Sequence, residues 1–307
     1  MGVGGTSGGR DTVLVTGASV GLGLAIAREL LRRTDHRLVL TARASSLDRF
    51  AAEGITEGER ILLRPLDVMD ADQRVAVVEE VEARFGGVDA LVNNAGISYR
   101  SVLEHAEASE VLDQMGINFL GPMELCRLVL PAMREKRRGR IVNVSSVSGM
   151  MAMPTMGLYT ASKFALEGAT ESLWYEVRPF GVSVSLVQPG FIRSDGFTKV
   201  RLTPMSQHAT DDRMDAYHPH YGFMAPFIEK LMTTTPTTSE KVARTVVKVL
   251  GQRHPKLRVP ASWDAKFFYY LRRLLPRRLY HEVLYRMLPG VSTWGRMPRS
   301  LRPPPPE

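Results

Sequence analysis

The chain has 307 residues, 44% of them hydrophobic and 23% charged, which suits one large α/β domain or two small ones. No run is apolar enough to span a bilayer, and the single cysteine, Cys126, excludes an intrachain disulfide. A net charge of +8 points to an anionic partner, with nucleic acid, a membrane surface and a phosphorylated cofactor as candidates.

Residues 1–10 form a Gly/Ser-rich lead without the positive start and apolar core of a secretory signal, so a flexible segment on a cytoplasmic chain is expected. Residues 12–16 (TVLVT) are a short β-branched run that reads as a buried strand. This strand passes into a turn with glycines at 17, 21 and 23, and then into a helix over 22–33. A side chain at these glycines would keep a pyrophosphate away from the helix amino terminus. Glycine turns also serve only to join strand to helix, but the strand-turn-helix setting favours cofactor binding. The next strand, 37–42, ends at Arg43, with no acid before Asp48. An acid at this point usually receives the ribose hydroxyls of NAD, whereas a guanidinium clasps a 2′-phosphate, so Arg43 favours NADP(H) over NAD.

Strand patterns at 61–66, 90–93, 140–145 and 183–188 alternate with helical patterns at 71–84, 111–134 and 158–178. That alternation predicts a doubly wound parallel sheet, a Rossmann fold, in a single domain over 11–260. Cys126 falls in an apolar helical segment and reads as a buried structural thiol. Residues 191–236 are rich in Met, Thr, His and Pro with weak periodicity, so an irregular substrate lid is expected. A helix over 239–250 capped by Ser239 and a final strand at 256–259 follow. Residues 261–307 form a basic amphipathic C-terminal extension, densest in charge over 266–286. Aromatic and leucine residues interleave with its arginines, which suits peripheral contact with a membrane through 263–288 or packing on the domain itself or a partner subunit. No helix-turn-helix, zinc or RNA-binding motif accompanies this charge, so nucleic acid is set aside.

Tyr159 and Lys163 stand four apart in a helical stretch, so both project from one face. A free phenol has a pKa near 10, and a neighbouring ammonium lowers it, which would make Tyr159 a usable general acid and base. Ser146 ends the preceding strand, at the carboxyl edge of the sheet, where α/β proteins bind ligands. Ser145 would face the opposite side.

TGxxxGxG at 16–23, NNAG at 93–96, Ser146 with Tyr159-x-x-x-Lys163, and Pro189-Gly190 together resemble the short-chain dehydrogenases and reductases over roughly residues 11–260. The resemblance implies catalysis by Asn118, Ser146, Tyr159 and Lys163, with Asn118 holding a water of the proton relay. It implies a cofactor held by Gly17, Ser19, Gly21, Leu22, Gly23, Arg43, Asp67, Asn94, Ala95, Gly96, Tyr159, Lys163, Pro189, Gly190, Ile192 and Ser194. Many NADP users of the family carry an arginine in the glycine loop, where Ser19 and Val20 stand here. SSVSG before the tyrosine and YHPHY at 217–221 look most like 17β-hydroxysteroid dehydrogenase type 1 and its retinol dehydrogenase relatives. That branch implies a small hydrophobic substrate of steroid or retinoid size, touched by Ser146, Tyr159 and His218, with no metal; His220 in that contact, or a surface role, is the rival reading. Met205, Met214, Tyr217, Tyr221, Phe223, Met224 and Phe227 would make its pocket apolar. A homo-oligomer, dimer or tetramer, is expected by the same resemblance.

Overall fold

A computed structural model describes residues 10–193 and 200–295. In chain order the first half runs β1 (Thr12–Val15), α1 (Gly21–Arg33), β2 (Arg37–Ala42), α2 (Asp48–Ala52), β3 (Ile61–Pro65), α3 (Ala71–Phe85), β4 (Ala90–Asn93), β5 (Tyr99–Arg100), α4 (Ala108–Met115) and α5 (Gly121–Glu135). The second half runs β6 (Gly139–Val144), α6 (Gly157–Val177), β7 (Val182–Gln188), β8 (Arg201–Leu202), α7 (Pro204–Asp211), α8 (His218–Thr234), α9 (Ser239–Gly251), β9 (Arg258–Pro260), α10 (Trp263–Leu274) and α11 (Arg277–Met287).

Seven strands form one parallel sheet in the order β3-β2-β1-β4-β6-β7-β9. Strands so placed are covered on both faces, which is why β1 is buried at all four positions and why its sequence does not alternate. Ile26 and Leu30 of α1 and Val242 and Val246 of α9 fill one face. Val77 and Val81 of α3, Leu125 and Val129 of α5 and Val177 of α6 fill the other, with Cys126 among them. Burial pushes the Cys126 thiol up to about 12, as befits a packing residue. The strand order reverses between β1 and β4, and the crevice at their carboxyl ends is where such sheets take ligands.

Three expectations change. The helix read over 111–134 is α4 and α5 joined by a π turn, Gly116–Leu120. A side chain at Gly116 would reach 2.3 Å from Met69 Sδ, and one at Gly121 would reach 2.7 Å from the Val68 carbonyl oxygen. The turn seats the helix against that loop, and insertions of this kind often mark functional sites. The segment over 191–236 carries α7 and α8 rather than an irregular lid. Pro219 and Pro226 mask the helical pattern there, although Tyr221, Met224 and Ile228 are buried at helical spacing. Thr238, not Ser239, caps α9, its hydroxyl accepting from the Lys241 N–H.

The basic extension breaks at Pro276 into α10 and α11. Phe268, Leu271, Leu275, Tyr280 and Leu284 pack onto Val147, Met150 and Met151, so one face rests on the chain's own domain. Trp263, Phe267, Tyr270 and Leu274 are exposed. Among the described residues no helix is long and apolar enough to cross a membrane.

Candidate active site

The first turn is built by close approach. Gly17 has φ +63°, and a methyl group there would lie 3.0 Å from the Ala95 Cα. A methyl on Gly23 would lie 2.0 Å from the Gly17 carbonyl oxygen. Asn94 Nδ2 donates to the carbonyls of Thr16 and Gly17 at 3.0 and 3.2 Å, while Thr16 Oγ1 accepts from the N–H groups of Asn94 and Ala95. The turn and the strand-end segment 94–96 are therefore one unit. Gly21 opens α1 behind Val20, whose side chain makes no capping bond, so the helix amino terminus presents backbone N–H groups at the crevice. Ser19 is buried in the turn, and Leu22 reaches the cleft.

Arg43 is exposed at the end of β2, and Arg49 of α2 lines the same cleft. Neither guanidinium has an ion-pair partner among the described residues. Arg49 went unread in the sequence; a second guanidinium six residues past Arg43, at the start of a helix, was the available signal. Asp67 follows β3 and accepts the Met69 N–H at 2.9 Å. It does not line the cleft.

Ser146, Tyr159 and Lys163 meet along one cavity of about 940 Å³. Ser146 accepts the Ser148 N–H at 3.1 Å, which leaves its own proton free to donate. The Ser145 hydroxyl turns instead towards Gly149, as the strand pleat requires. Lys163, 5% exposed, donates from Nζ to the Val144 carbonyl at 2.9 Å. Burial brings its ammonium down to about 8, against an upward pull from Glu167 one turn on. Glu167 is itself held by Gln188 at 2.8 Å and Arg258 at 2.9 Å, tying α6 to β7 and β9. Burial pushes the Tyr159 phenol above its ordinary value, opposed by a hydrogen bond from Ser146. Lys163 Nζ lies over the Tyr159 ring, 5.7 Å from its centroid.

Asn118 sits in the π turn and is 1% exposed. Its Oδ1 accepts the Ile97 N–H, and its Nδ2 donates to the Ile97 carbonyl and to Ser162 Oγ. Three of the side chain's four hydrogen-bonding positions join the strand-end loop to α6.

Pro189, Gly190 and Ile192 line the cleft; Ser194 lies outside the described residues. Gly190 N–H donates to Ser262 Oγ at 2.9 Å and Phe191 N–H to Asp264 Oδ2 at 2.7 Å, so the amino end of α10 holds the rim. Sequence reasoning missed these two, because only the fold brings them to the turn. His218 is not brought to the cleft: its Nδ1 bonds the Ala209 carbonyl at 3.1 Å at the start of α8. Ile228 and Met232, nearly three and nearly four turns later, line the cleft instead. Tyr221 and Met224 are buried beneath α8, Tyr221 accepting the Val102 N–H at 3.0 Å. Met205, Met214 and Phe223 are exposed, and neither they nor Tyr217 lines the cleft.

Residues 11–204 match the short chain dehydrogenase family. The chain is 38% identical over 205 residues to 3-ketodihydrosphingosine reductase of Bacteroides thetaiotaomicron, covering 67% of this chain and 72% of that one. It is 31% identical to retinol dehydrogenase 16 of Rattus norvegicus, covering 89% and 87%. A metagenomic short-chain oxidoreductase solved in complex with NADP superposes with a TM-score of 0.63 at 28% identity, covering 83% and 98%. With the strand order, the glycine turn and the Ser146–Tyr159–Lys163 cluster in place, these likenesses establish that the chain belongs to the short-chain dehydrogenase family, is related to retinol dehydrogenases, and is an NAD(P)-dependent oxidoreductase.

Proposed function

We propose that this protein interconverts a carbonyl and an alcohol on a hydrophobic substrate of steroid or retinoid size, using NADP(H), with Tyr159 as general acid and base. The observation that carries the reading is the meeting of Ser146, Tyr159 and Lys163 in one cleft that also holds Arg43 and Arg49. The residues fit a dinucleotide: Gly17 and Gly23 leave no room for a side chain in the turn, and the α1 amino terminus carries no side-chain cap. Gly17, Ser19, Gly21, Leu22 and Gly23 would hold the pyrophosphate, Arg43 and Arg49 the 2′-phosphate, and Asp67 the adenine. Asn94, Ala95, Gly96, Pro189, Gly190, Ile192 and Ser194 would line the nicotinamide half, and Lys163 would bond its ribose. When bound, the cofactor supplies or accepts the hydride. A relative solved with NADP supports the cofactor, and relatives named for retinol and 3-ketodihydrosphingosine support a lipophilic substrate.

The chain's own part is proton handling and orientation. Ser146, held by the bond it accepts from the Ser148 N–H, would turn its proton from Tyr159 to the substrate oxygen. Tyr159, held protonated by burial, gives its proton to that oxygen in reduction and recovers one in oxidation. Asn118 positions the cleft wall through Ile97 and Ser162. The exposed stripe of Trp263, Phe267, Tyr270 and Leu274, beside Arg272 and Arg273, would serve contact with a membrane surface. Self-association is part of the same reading.

The test follows NADPH and NADH oxidation over a panel of hydrophobic ketones and aldehydes. Turnover with NADPH that falls about 10²- to 10⁴-fold in Tyr159→Phe, the range of general acid–base catalysis, is the expected result. Turnover confined to NADH would keep the chemistry and overturn the cofactor; unchanged turnover in Tyr159→Phe would overturn the mechanism.

A further inference from the structure

A second cavity of about 660 Å³ lies beside the cleft. Its walls are apolar: Phe227 and Leu231 of α8 on one side, Leu284 and Leu288 at α11 on another. Among the described residues the polar side chains come from α11, as Arg278, His281, Glu282 and Tyr285. Met153 and Phe191 line both this cavity and the cleft, so these two side chains are the partition between them.

The cleft extends from Arg43 and Arg49 to Lys163, the stretch that a dinucleotide would occupy. Past Ser146 and Tyr159 it meets Met153 and Phe191, and the space across these two side chains has apolar walls suited to the rest of a hydrophobic substrate.

We infer that the second cavity receives the far, apolar end of the substrate, which passes between Met153 and Phe191, and that α8 and α11 thereby set the preferred length of that apolar part. This rests on the carbonyl-reducing reading above, and the test separates the two. NADPH oxidation is followed with n-alkanals from butanal to dodecanal. The value of kcat/KM should climb by up to about fourfold per added methylene, the worth of one buried CH₂ group. Leu231→Trp and Leu288→Trp fill the cavity from opposite walls, and neither residue lines the cleft. Either substitution should flatten the climb while leaving butanal unchanged. In parallel, cis-parinaric acid, an 18-carbon polyene whose fluorescence rises in apolar surroundings, should bind the parent and at least tenfold more weakly to both variants.

A climb that survives both tryptophans, or parinarate binding untouched by them, overturns the inference. Should no alkanal react while parinarate binding is still lost in the variants, the cavity assignment stands and the carbonyl reading falls.

Discussion

Gly23 and Gly190 mark two turns at the carboxyl edge of the sheet, and both are glycines for want of space. A methyl group would lie 2.0 Å from an oxygen at the first and 1.9 Å at the second. The obstacles differ in kind. At Gly23 it is the main-chain carbonyl of Gly17, fixed inside the same turn; at Gly190 it is the carboxylate of Asp264, at the end of a side chain on α10. One half of the cleft is thus shaped by neighbouring backbone, and the other by a contact between residues 73 apart, Phe191 and Asp264. The first half can only break, whereas the second can yield by releasing α10.

Substitutions sharpen that contrast. Gly23→Ala should be the most damaging, destabilising by about 3 kcal/mol, the upper range for overpacking a tight site, and abolishing NADPH binding. Urea unfolding and a fluorescence titration with NADPH measure the two effects. In the nicotinamide half, Lys163 is held down to about 8 from an ordinary 10.5. Between those values the unfolded chain binds a proton that the folded chain has released. Its contribution to stability therefore grows from pH 8 to 10.5 and is lost as pH falls through 8. Subtracting the pH–stability curve of Lys163→Met from that of the parent should leave this rise as the difference; a flat difference would contradict it.

Arg43→Ala should weaken NADPH by roughly 10- to 100-fold, the worth of a charge-assisted hydrogen bond, and leave NADH affinity alone. Equal losses for both cofactors would deny the 2′-phosphate assignment. Asp264→Ala should have the smallest effect, about 1–2 kcal/mol, because one N–H loses its acceptor near solvent. Its mark should be a raised substrate KM with cofactor affinity unchanged, as expected if only the yielding half loosens.

The same division governs what could be read from the sequence. Glycines at 17, 21 and 23 announce a local turn, although the distant Asn94 and Ala95 brace it, and the four-residue step from Tyr159 to Lys163 is a property of any helix. The strands likewise declare themselves, since β-branched runs buried on both faces have no other home. Ile228 and Met232 gave no such notice, because α8 hides behind two prolines and its approach to the cleft depends on Tyr221 reaching Val102. His218 was misplaced for that reason: the helix begins at the residue, so the side chain that reaches the cleft comes nearly three turns later. Ser262 and Asp264 look in sequence like an ordinary helix start, which they also are. Nothing local tells that they serve a second turn.

That double service has a consequence for inheritance. The amino end of α10 both begins the helices that wall the second cavity and accepts the N–H groups of Gly190 and Phe191. A recombinant that took α10 and α11 from a relative without matching hydroxyl and carboxylate would disturb the catalytic rim along with the tail cavity. Specificity and catalysis in this chain are therefore passed on as one block, and a graft that separates them at residue 260 should fail at the rim first.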